Sequence, residues 1–190
     1  MIPALVLASG SPRRRELLTM LGIRFQVCPS HIPEERRPGE APVAYAERLA
    51  REKALSVPGD LVLGADTTVL LGEELLEKPL DEADALRILR QLQGRTHEVI
   101  TSIALRSDDT LRQATDITAV TFRTCDDDFL RAYIATGEPM DKAGAYGIQG
   151  YGAALVERIE GDFFSVMGLP VRLVLKLLSE AGYPYRFGAG

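Results

Sequence analysis

Three consecutive arginines follow the turn segment SGSP where a Leu-rich helical pattern begins, so Arg13, Arg14 and Arg15 fall in the first turn of a predicted helix. A helix N-terminus carries unpaired N–H groups and a partial positive charge, and acidic residues are normally favoured there. Basic residues suit this position when an anion binds, because N–H groups and guanidinium forks both donate to phosphate oxygens. The segment indicates an anion site at the helix N-terminus with Arg13 and Arg14 as donors, and Ser9 with Gly10 allows close backbone approach. Arg15 is interpreted as a surface charge. The alternative is that the arginines point into solvent or pair with Glu16 and other acidic residues.

Two carboxylates are candidates for metal binding and proton transfer. Asp66 ends the apolar run LVLGA, and Glu34 lies in the polar loop PEERRP. Taken alone, an aspartate after a strand is more often a turn or cap residue, and a loop glutamate is more often a solvated charge. Together, beside a phosphate site, they offer the hard oxygens that Mg²⁺ binds through one or two carboxylates plus substrate phosphates. We therefore expect Glu34 and Asp66 to be metal ligands.

Two lysines and a glutamine complete the candidate site. Lys53 lies in the helical segment RLAREKA, where an exposed helix lysine is the alternative, and Lys78 ends a predicted hairpin arm in EKP. Both are candidate point charges for a polyphosphate. Gln149 lies in the Gly-rich segment DKAGAYGIQGYG, and its amide can donate and accept at once, as the reading of a base edge requires. The alternative for this segment is a plain connection, and His31 and His97, which lack companions at metal spacing, are interpreted as structural.

The elements that must position these residues alternate between strands and helices almost to the end of the chain. GDLVLGAD is predicted as a buried strand that ends at Asp66, and TTVLLGEELLEKP as a hairpin that turns at Gly72–Glu73. The strands THEVITSIALRS and TDITAVTFRT are predicted to meet through a turn at Asp108–Asp109. Such antiparallel pairs are absent from a purely parallel doubly wound sheet, so we expect a mixed α/β fold. The length and the lack of a linker indicate one domain over residues 1–190.

Helical periodicity predicts five helices between these strands. They are expected from Pro12 to about Leu21, over PVAYAERLAREKALSV, over DEADALRILRQLQG, from about Asp127 to Ala135, and at the end of the chain to about Gly182. Asp81 is expected to cap the third of them. The segments at residues 29–39 and DFFSVMGLP are predicted as loops.

Whole-chain composition excludes several classes of protein. A formal net charge of -5 argues against a protein that coats nucleic acid. Cys28 and Cys125 are far apart and match no metal-ligand spacing, so a reducing cytoplasmic setting is expected. The opening MIPALVLA is too short for a signal sequence, and no later apolar stretch is long enough to span a membrane. We therefore expect neither a membrane nor a nucleic acid among the partners.

Eight segments together resemble one family over nearly the whole chain. They are LASGSPRRRELL, PEE, AREKA, GADTTV, EKP, GRTHEVIT, DKAGAYGIQG and SVMGLP. Their order and rough spacing resemble those of the Maf family of nucleoside triphosphate pyrophosphatases. The resemblance implies a fold similar to that of the inosine triphosphatase group, with a long mixed β-sheet and flanking helices that form two lobes around a cleft. It also implies hydrolysis between the α and β phosphates with a divalent cation, Mg²⁺, Mn²⁺ or Co²⁺, and allows a homodimer.

The same resemblance implies roles for individual residues. Asp66 corresponds to the proton acceptor that activates water, and Glu34 assists it through the metal. A subgroup that acts on dTTP and UTP is similar to this chain at Arg13, Thr67 and Gln149, which are therefore expected to determine specificity. The triphosphate cradle would comprise Ser9, Arg13, Arg14, Lys53 and Lys78, with Lys78 also grouped among the catalytic residues.

One departure from the family pattern and two rival functions stay open. Many relatives carry an acidic residue where this chain has Pro33, which weakens a shared role for two neighbouring loop carboxylates, although Glu35 could substitute. The motif LAxGxxxR is also similar to that of nucleotidyltransferases, which pass the nucleotidyl group to a sugar phosphate. A non-catalytic nucleotide-binding regulator of septum formation is the second rival. The family resemblance further implies exclusion of non-standard nucleotides, modified pyrimidine triphosphates among them, and a role in cell-division arrest.

Overall fold

The structure is a computed structural model that describes residues 4–187. It confirms the mixed α/β class, with helices flanking one sheet. The α-helices of the described part are α1 (Pro12–Met20), α2 (Pro42–Ser56), α3 (Glu82–Leu92), α4 (Asp127–Ile134), α5 (Phe163–Val166) and α6 (Val171–Glu180). Short 3₁₀ helices cover Glu138–Asp141, Ala143–Ala145 and Gly150–Leu155. The assignment of residues 1–190 to one domain stays a prediction, and residues 1–3 and 188–190 lie outside the described part.

Within residues 4–187, seven strands form a mixed sheet. The strands are β1 (Leu5–Leu7), β2 (Phe25–Val27), β3 (Leu61–Leu71), β4 (Glu74–Leu76), β5 (Thr96–Ser107), β6 (Thr110–Phe122) and β7 (Val156–Glu160). Their order is β2-β1-β3-β5-β6-β7, and β4 pairs with β3. Strand β1 runs parallel to β2 and β3, whereas β4 is antiparallel to β3 and β7 is antiparallel to β6. The mixture of parallel and antiparallel pairs confirms the expected sheet type.

The chain divides into two compact units. Of the described residues, the first unit contains 4–66, 101–116 and 168–187, and the second contains 67–100 and 117–167. The second unit has an apolar core that includes the buried faces of α3 and α4. In the first unit, β1, β3 and the small residues of α2 pack together. No helix within residues 4–187 combines the length and the apolar character needed to cross a membrane.

A close approach of α2 to β3 in the first unit explains the glycine in LVLGAD. A Cβ atom added to Gly64 would lie 2.3 Å from the carbonyl oxygen of Ala50 and 2.6 Å from the backbone nitrogen of Ala54. Ala50 and Ala54 are four residues apart, so they share one helix face, and both are fully buried. Because only glycine leaves room for this contact, Lys53 on α2 is brought close to the middle of β3.

The prediction that the strand ends at Asp66 is wrong. Strand β3 continues from Leu61 to Leu71, so Asp66 lies in its middle. The residues after Asp66, TTVLL, are β-branched or apolar and extend the same strand. A prediction that ends the strand at its first charged residue misses this extension. The predicted turn at Gly72–Glu73 is confirmed, since Leu71 pairs with Glu74 across it.

Other boundaries differ in smaller ways. Strand β2 was not expected, and its three residues are too few to show periodicity. Helix α5 lies inside the segment predicted as a loop, where the Asp162 side chain accepts hydrogen bonds from Phe164 and Ser165 N–H and starts a single turn. Strand β6 begins at Thr110, earlier than TDITAVTFRT, directly after the confirmed turn. The Asp81 cap of α3 is confirmed by a 2.8 Å hydrogen bond from Asp84 N–H.

His97 lies inside the second unit. Its side chain is 2% exposed and makes edge-on contacts with Phe122 and Tyr146, with ring centroids 5.0 Å and 5.3 Å away. Nε2 lies 2.8 Å from the Tyr146 hydroxyl oxygen, while Nδ1 is buried and has no hydrogen-bond partner among the described residues. A charged imidazole would need to donate from both nitrogens. Burial accordingly lowers the pKa of His97 to about 4.

We expect this buried imidazole to destabilise the protein in mild acid. The unfolded chain takes up the histidine proton near pH 6.5, but the folded chain takes it up only near pH 4. The free energy of unfolding is therefore unaffected above pH 6.5 and falls as the pH drops from 6.5 to 4, by roughly 3 kcal/mol in total. Urea unfolding at pH 7, 6, 5 and 4 should show this loss in the wild type and not in His97→Phe.

His31→Phe is the matched control, because His31 is exposed and should leave the wild-type slope unchanged. Parallel pH profiles for wild type and His97→Phe would contradict the prediction. A difference in absolute stability between the two proteins would not, because only the slope with pH reports the titration.

Candidate active site

Three charged side chains of the first unit meet at one point. The Lys53 ammonium nitrogen lies 2.7 Å from Asp66 Oδ1 and 2.8 Å from Glu34 Oε1. The side chains of Lys53 and Asp66 are each 8% exposed, and that of Glu34 is 47% exposed. The alternative of an exposed helix lysine is therefore wrong. Since a buried charge is costly unless it is paired, the two carboxylates are what makes an ammonium group tolerable here.

Each member of this cluster comes from a different element. Lys53 projects from α2, Asp66 lies in β3, and Glu34 belongs to the irregular segment between β2 and α2. The close packing at Gly64 brings the first two elements together. The hydroxyl of Tyr45, also on α2, donates a 2.9 Å hydrogen bond to the Glu34 carbonyl and holds the irregular segment against the helix.

The donor set fits a divalent cation of the hard type. Two carboxylates already converge on one cationic centre, the Lys53 ammonium, at ion-pair distance. Mg²⁺ commonly binds through one or two carboxylates and completes its shell with waters and substrate phosphates. Among the described residues, no group of three or more His, Cys, Asp or Glu side chains could hold a metal ion. A metal bound by Glu34 and Asp66 would take its other ligands from water molecules or from substrate phosphates.

Arg14 is buried among backbone carbonyls. Its Nε donates to the Gly168 carbonyl at 2.8 Å, and its Nη1 donates to Ser9 Oγ and to the Ala65 carbonyl, both at 2.9 Å. Burial lowers the pKa of Arg14, and the negative charge of Asp66 partly offsets this. The alternative in which Arg14 points into solvent is wrong. Arg14 instead ties the segment after β1 to the residue that precedes Asp66.

The neighbouring arginines differ in exposure. Arg13 is half-buried, and its positive charge contributes to the lowered pKa of Arg14, so the two guanidinium groups influence one another. Arg15 is exposed, as expected of a surface charge. Ser9 is buried, and its Oγ accepts a 3.2 Å hydrogen bond from Ser11 N–H as well as the bond from Arg14.

The remaining predicted site residues belong to the second unit. Thr67 is half-buried in β3, Lys78 is exposed just after β4, and Gln149 is half-buried directly before a 3₁₀ helix. The carbonyl of Glu77 accepts a 3.2 Å hydrogen bond from Gly144 N–H. This bond links the chain next to Lys78 to the Gly-rich segment that carries Gln149.

Glu138, which the sequence did not single out, fixes the conformation around Gln149. Its carboxylate accepts hydrogen bonds from Tyr133 Oη at 3.0 Å and from the N–H groups of Tyr151 and Gly152, both at 2.9 Å. Gly152 is packed so closely that an added Cβ would lie 2.1 Å from the Gly147 carbonyl oxygen. The Gly-rich segment is thus a tightly held turn.

Comparison with known proteins identifies the family of this chain. The family model described as Maf-like protein matches residues 4–181. The chain belongs to the Maf family. Relatives named dTTP/UTP pyrophosphatase include those of Aquifex aeolicus, 49% identical over 92% of this chain and 94% of the relative, and Koribacter versatilis, 50% identical over 94% of each chain. Another, from Escherichia coli, is 49% identical over 93% of this chain and 92% of its own.

In this Maf-family protein, we expect Lys53→Met to remove the ammonium and leave Glu34 and Asp66 close together. The free energy of unfolding in EDTA should fall by about 3 kcal/mol or more, because one partner of a buried ion pair is lost. Added Mg²⁺ or Mn²⁺ should stabilise the variant more than the wild type, since a divalent cation supplies the missing positive charge. Urea unfolding with and without metal measures both effects.

Lys176→Met is the matched control, because Lys176 is 62% exposed and pairs with Glu180 on the surface of α6. Its effect should stay within about 0.5 kcal/mol. Equal losses of stability in Lys53→Met and Lys176→Met would contradict the importance assigned to the buried cluster.

Proposed function

We propose that this protein hydrolyses dTTP and UTP to the nucleoside monophosphate and pyrophosphate. The observation that carries the proposal is the cluster of Glu34, Lys53 and Asp66, which brings two carboxylates and a buried ammonium group to one point. The near-full-length similarity to relatives named dTTP/UTP pyrophosphatase supports the same substrates. Modified pyrimidine triphosphates extend the proposal, because a pocket that reads the base edge tolerates changes elsewhere on the ring.

The reaction needs one proton acceptor and an in-line attack. Asp66 takes a proton from a water molecule while the water oxygen forms a bond to the α-phosphorus. The bond between the α-phosphorus and the bridging oxygen breaks, and pyrophosphate leaves with that electron pair. Catalysis of this kind rests on positioning and on stabilising charge on the phosphates. A carboxylate that is held firmly by Lys53 meets the positioning requirement.

Glu34 and Asp66 would hold the divalent cation, Mg²⁺, Mn²⁺ or Co²⁺. When bound, the metal would offset the negative charge of the phosphates and favour departure of pyrophosphate. The site residues Ser9, Arg13, Lys53 and Lys78 would contact the triphosphate. The buried hydrogen bonds of Arg14 support a positioning role for it behind Ser9, in addition to any phosphate contact.

Selection of the base is assigned to Arg13, Thr67 and Gln149. A uracil or thymine edge presents an N–H beside a carbonyl oxygen, and a glutamine amide offers the complementary pair. The hydrogen bonds that the Glu138 carboxylate accepts from Tyr151 and Gly152 N–H support a fixed backbone beside Gln149. A segment that is already ordered costs less entropy on binding than a mobile one.

The cellular setting forms part of the proposal. A cytoplasmic location is supported by two free thiols, at Cys28 and Cys125, which suit a reducing compartment. The nucleoside triphosphate would be the small-molecule partner, and the proposal includes a homodimer, which the family resemblance allows. Hydrolysis of non-standard nucleotides before their incorporation, and an effect on cell division, would follow from control of the triphosphate pool.

We expect pyrophosphate release from dTTP and UTP to exceed that from the canonical purine triphosphates. Assays of pyrophosphate release over these substrates with Mg²⁺, Mn²⁺ or Co²⁺ measure the preference. The same assays with and without a sugar phosphate distinguish a hydrolase from a transferase.

Gln149→Leu should lower kcat/KM for dTTP by tenfold or more, about 1.4 kcal/mol of lost recognition, and change the purine values little. A purine preference in the wild type would contradict the specificity assignment, and dTTP left intact over hours would indicate a binding protein.

We expect Asp66→Asn to lower kcat for dTTP by roughly a thousandfold or more, because general-base assistance alone contributes 10²–10⁴ and a metal ligand is lost with it. Steady-state pyrophosphate release measures the change. Asp116→Asn is the matched control, since Asp116 is a buried aspartate of the same unit that pairs with Arg172. Near-full turnover by Asp66→Asn, or an equal loss in both variants, would contradict the assignment of Asp66 as the base.

A further inference from the structure

The loop that carries Glu34 is a weak platform for a metal ligand unless something anchors it. Residues 28–41 contain neither helix nor strand, so their backbone groups lack a regular hydrogen-bond ladder. Glu34 is also the most exposed member of the cluster with Lys53 and Asp66. Metal ligands depend on groups behind them for orientation.

Arg48 on α2 is the centre of a buried ion pair beneath this loop. The residue is 6% exposed, and its Nε and Nη2 donate to the two carboxylate oxygens of Glu40 at 2.6 Å and 2.8 Å. This two-point contact between a guanidinium and a carboxylate fixes orientation as well as distance. Glu40 lies near the end of the loop, and its Oε2 also accepts a 3.0 Å hydrogen bond from Arg37 N–H.

The same guanidinium reaches the residue next to Glu34. Arg48 Nη2 donates to the Glu35 carbonyl at 2.9 Å, and Tyr45 Oη donates to the Glu34 carbonyl at the same distance. Tyr45 and Arg48 are three residues apart on one face of α2, and the guanidinium carbon lies 5.5 Å from the centre of the Tyr45 ring. Helix α2 therefore holds the loop backbone through these side chains, while Lys53 on the same helix pairs with the Glu34 carboxylate.

We propose that Arg48 and Glu40 form a positioning pair that holds Glu34 in place for divalent-cation binding. This inference rests on the proposed function, because it assigns support to a ligand of that site. Neither residue touches the reacting atoms. Their effect passes through the backbone at Glu34 and Glu35.

The charge state of the pair favours a permanent anchor. The hydrogen bond from Arg48 lowers the pKa of Glu40 to about 2, and the contact with Glu40 raises the pKa of Arg48. Both groups therefore stay charged across the pH range of an activity assay. Arg48 also pairs with Glu52 at 3.2 Å, one helical turn further along α2, which restrains the guanidinium from the other side.

The test compares variants that remove side-chain contacts at two different places along α2. Arg48→Met and Glu40→Gln remove the pair from either side, and the double variant tests whether the residues act together. Arg106→Met is the matched control, because Arg106 donates to the carbonyls of Ala54 and Val57 at the opposite end of the helix. Mn²⁺ affinity of the full-length protein, measured by electron paramagnetic resonance without nucleotide, is the main readout, with melting temperature and kcat and KM for dTTP beside it.

We expect Arg48→Met and Glu40→Gln each to weaken Mn²⁺ binding by about tenfold or more, within the range found for groups that support metal ligands. The double variant should resemble the single variants, since the pair works as a unit. Arg106→Met should lower the melting temperature and leave the Mn²⁺ affinity unchanged. Arg48→Lys should recover part of the affinity, because it keeps the charge and loses the two-point contact.

Two results would overturn the inference. Arg106→Met could weaken Mn²⁺ binding as much as Arg48→Met does, at an equal loss of melting temperature. Arg48 would then contribute only to the overall stability of the protein. Alternatively, both Arg48→Met and Glu40→Gln could bind Mn²⁺ like the wild type. Glu34→Gln separates these outcomes from failure of the proposed function: if Glu34→Gln binds Mn²⁺ normally, the metal assignment itself is wrong.

Discussion

The rest of the first unit depends on one buried ammonium group shared by two carboxylates. An isolated charge with the burial of Lys53 would be very costly, so the folded state requires Asp66 and Glu34 beside it. These partners belong to a strand and to an irregular loop, and Lys53 belongs to a helix. Three elements must therefore meet at one point. The missing Cβ of Gly64 lets α2 approach β3 closely. The Tyr45 side chain on α2 holds the loop that carries Glu34.

The charge balance of this cluster extends to a neighbouring arginine. Two carboxylates and one ammonium carry a formal charge of about -1, and the positively charged Arg14 guanidinium interacts with both Asp66 and Glu34. Two arginines, Arg13 and Arg14, precede the cluster in the chain, and the buried hydrogen bonds of Arg14 end at Ala65, next to Asp66. Basic residues in the first turn of α1 are thus explained partly by buried carbonyl acceptors and not by an anion alone.

The sequence predicted the fold class and most elements because apolar periodicity is a local signal. It identified Asp66, Lys53 and Glu34 but could not predict that they meet, since 13 residues separate Lys53 from Asp66 and only the packing at Gly64 relates them. The sequence predicts a β3 that is too short, because a charged residue such as Asp66 usually marks the end of a buried strand, whereas here an ion pair supports the burial of Asp66. A charged residue inside a strand is stable when its partner comes from elsewhere in the chain.

Sequence patterns do not identify Arg48 or Glu138, and the physical reason is the same for both. Each holds an irregular segment whose backbone groups cannot satisfy one another: Arg48 donates to the Glu35 carbonyl, and the Glu138 carboxylate accepts from Tyr151 and Gly152 N–H. Such supporting side chains follow no period and no motif, because their position is set by where the segment passes in space. Functional side chains on loops therefore require a second set of charged residues on or beside the helices, and that set becomes visible only once the chain is folded.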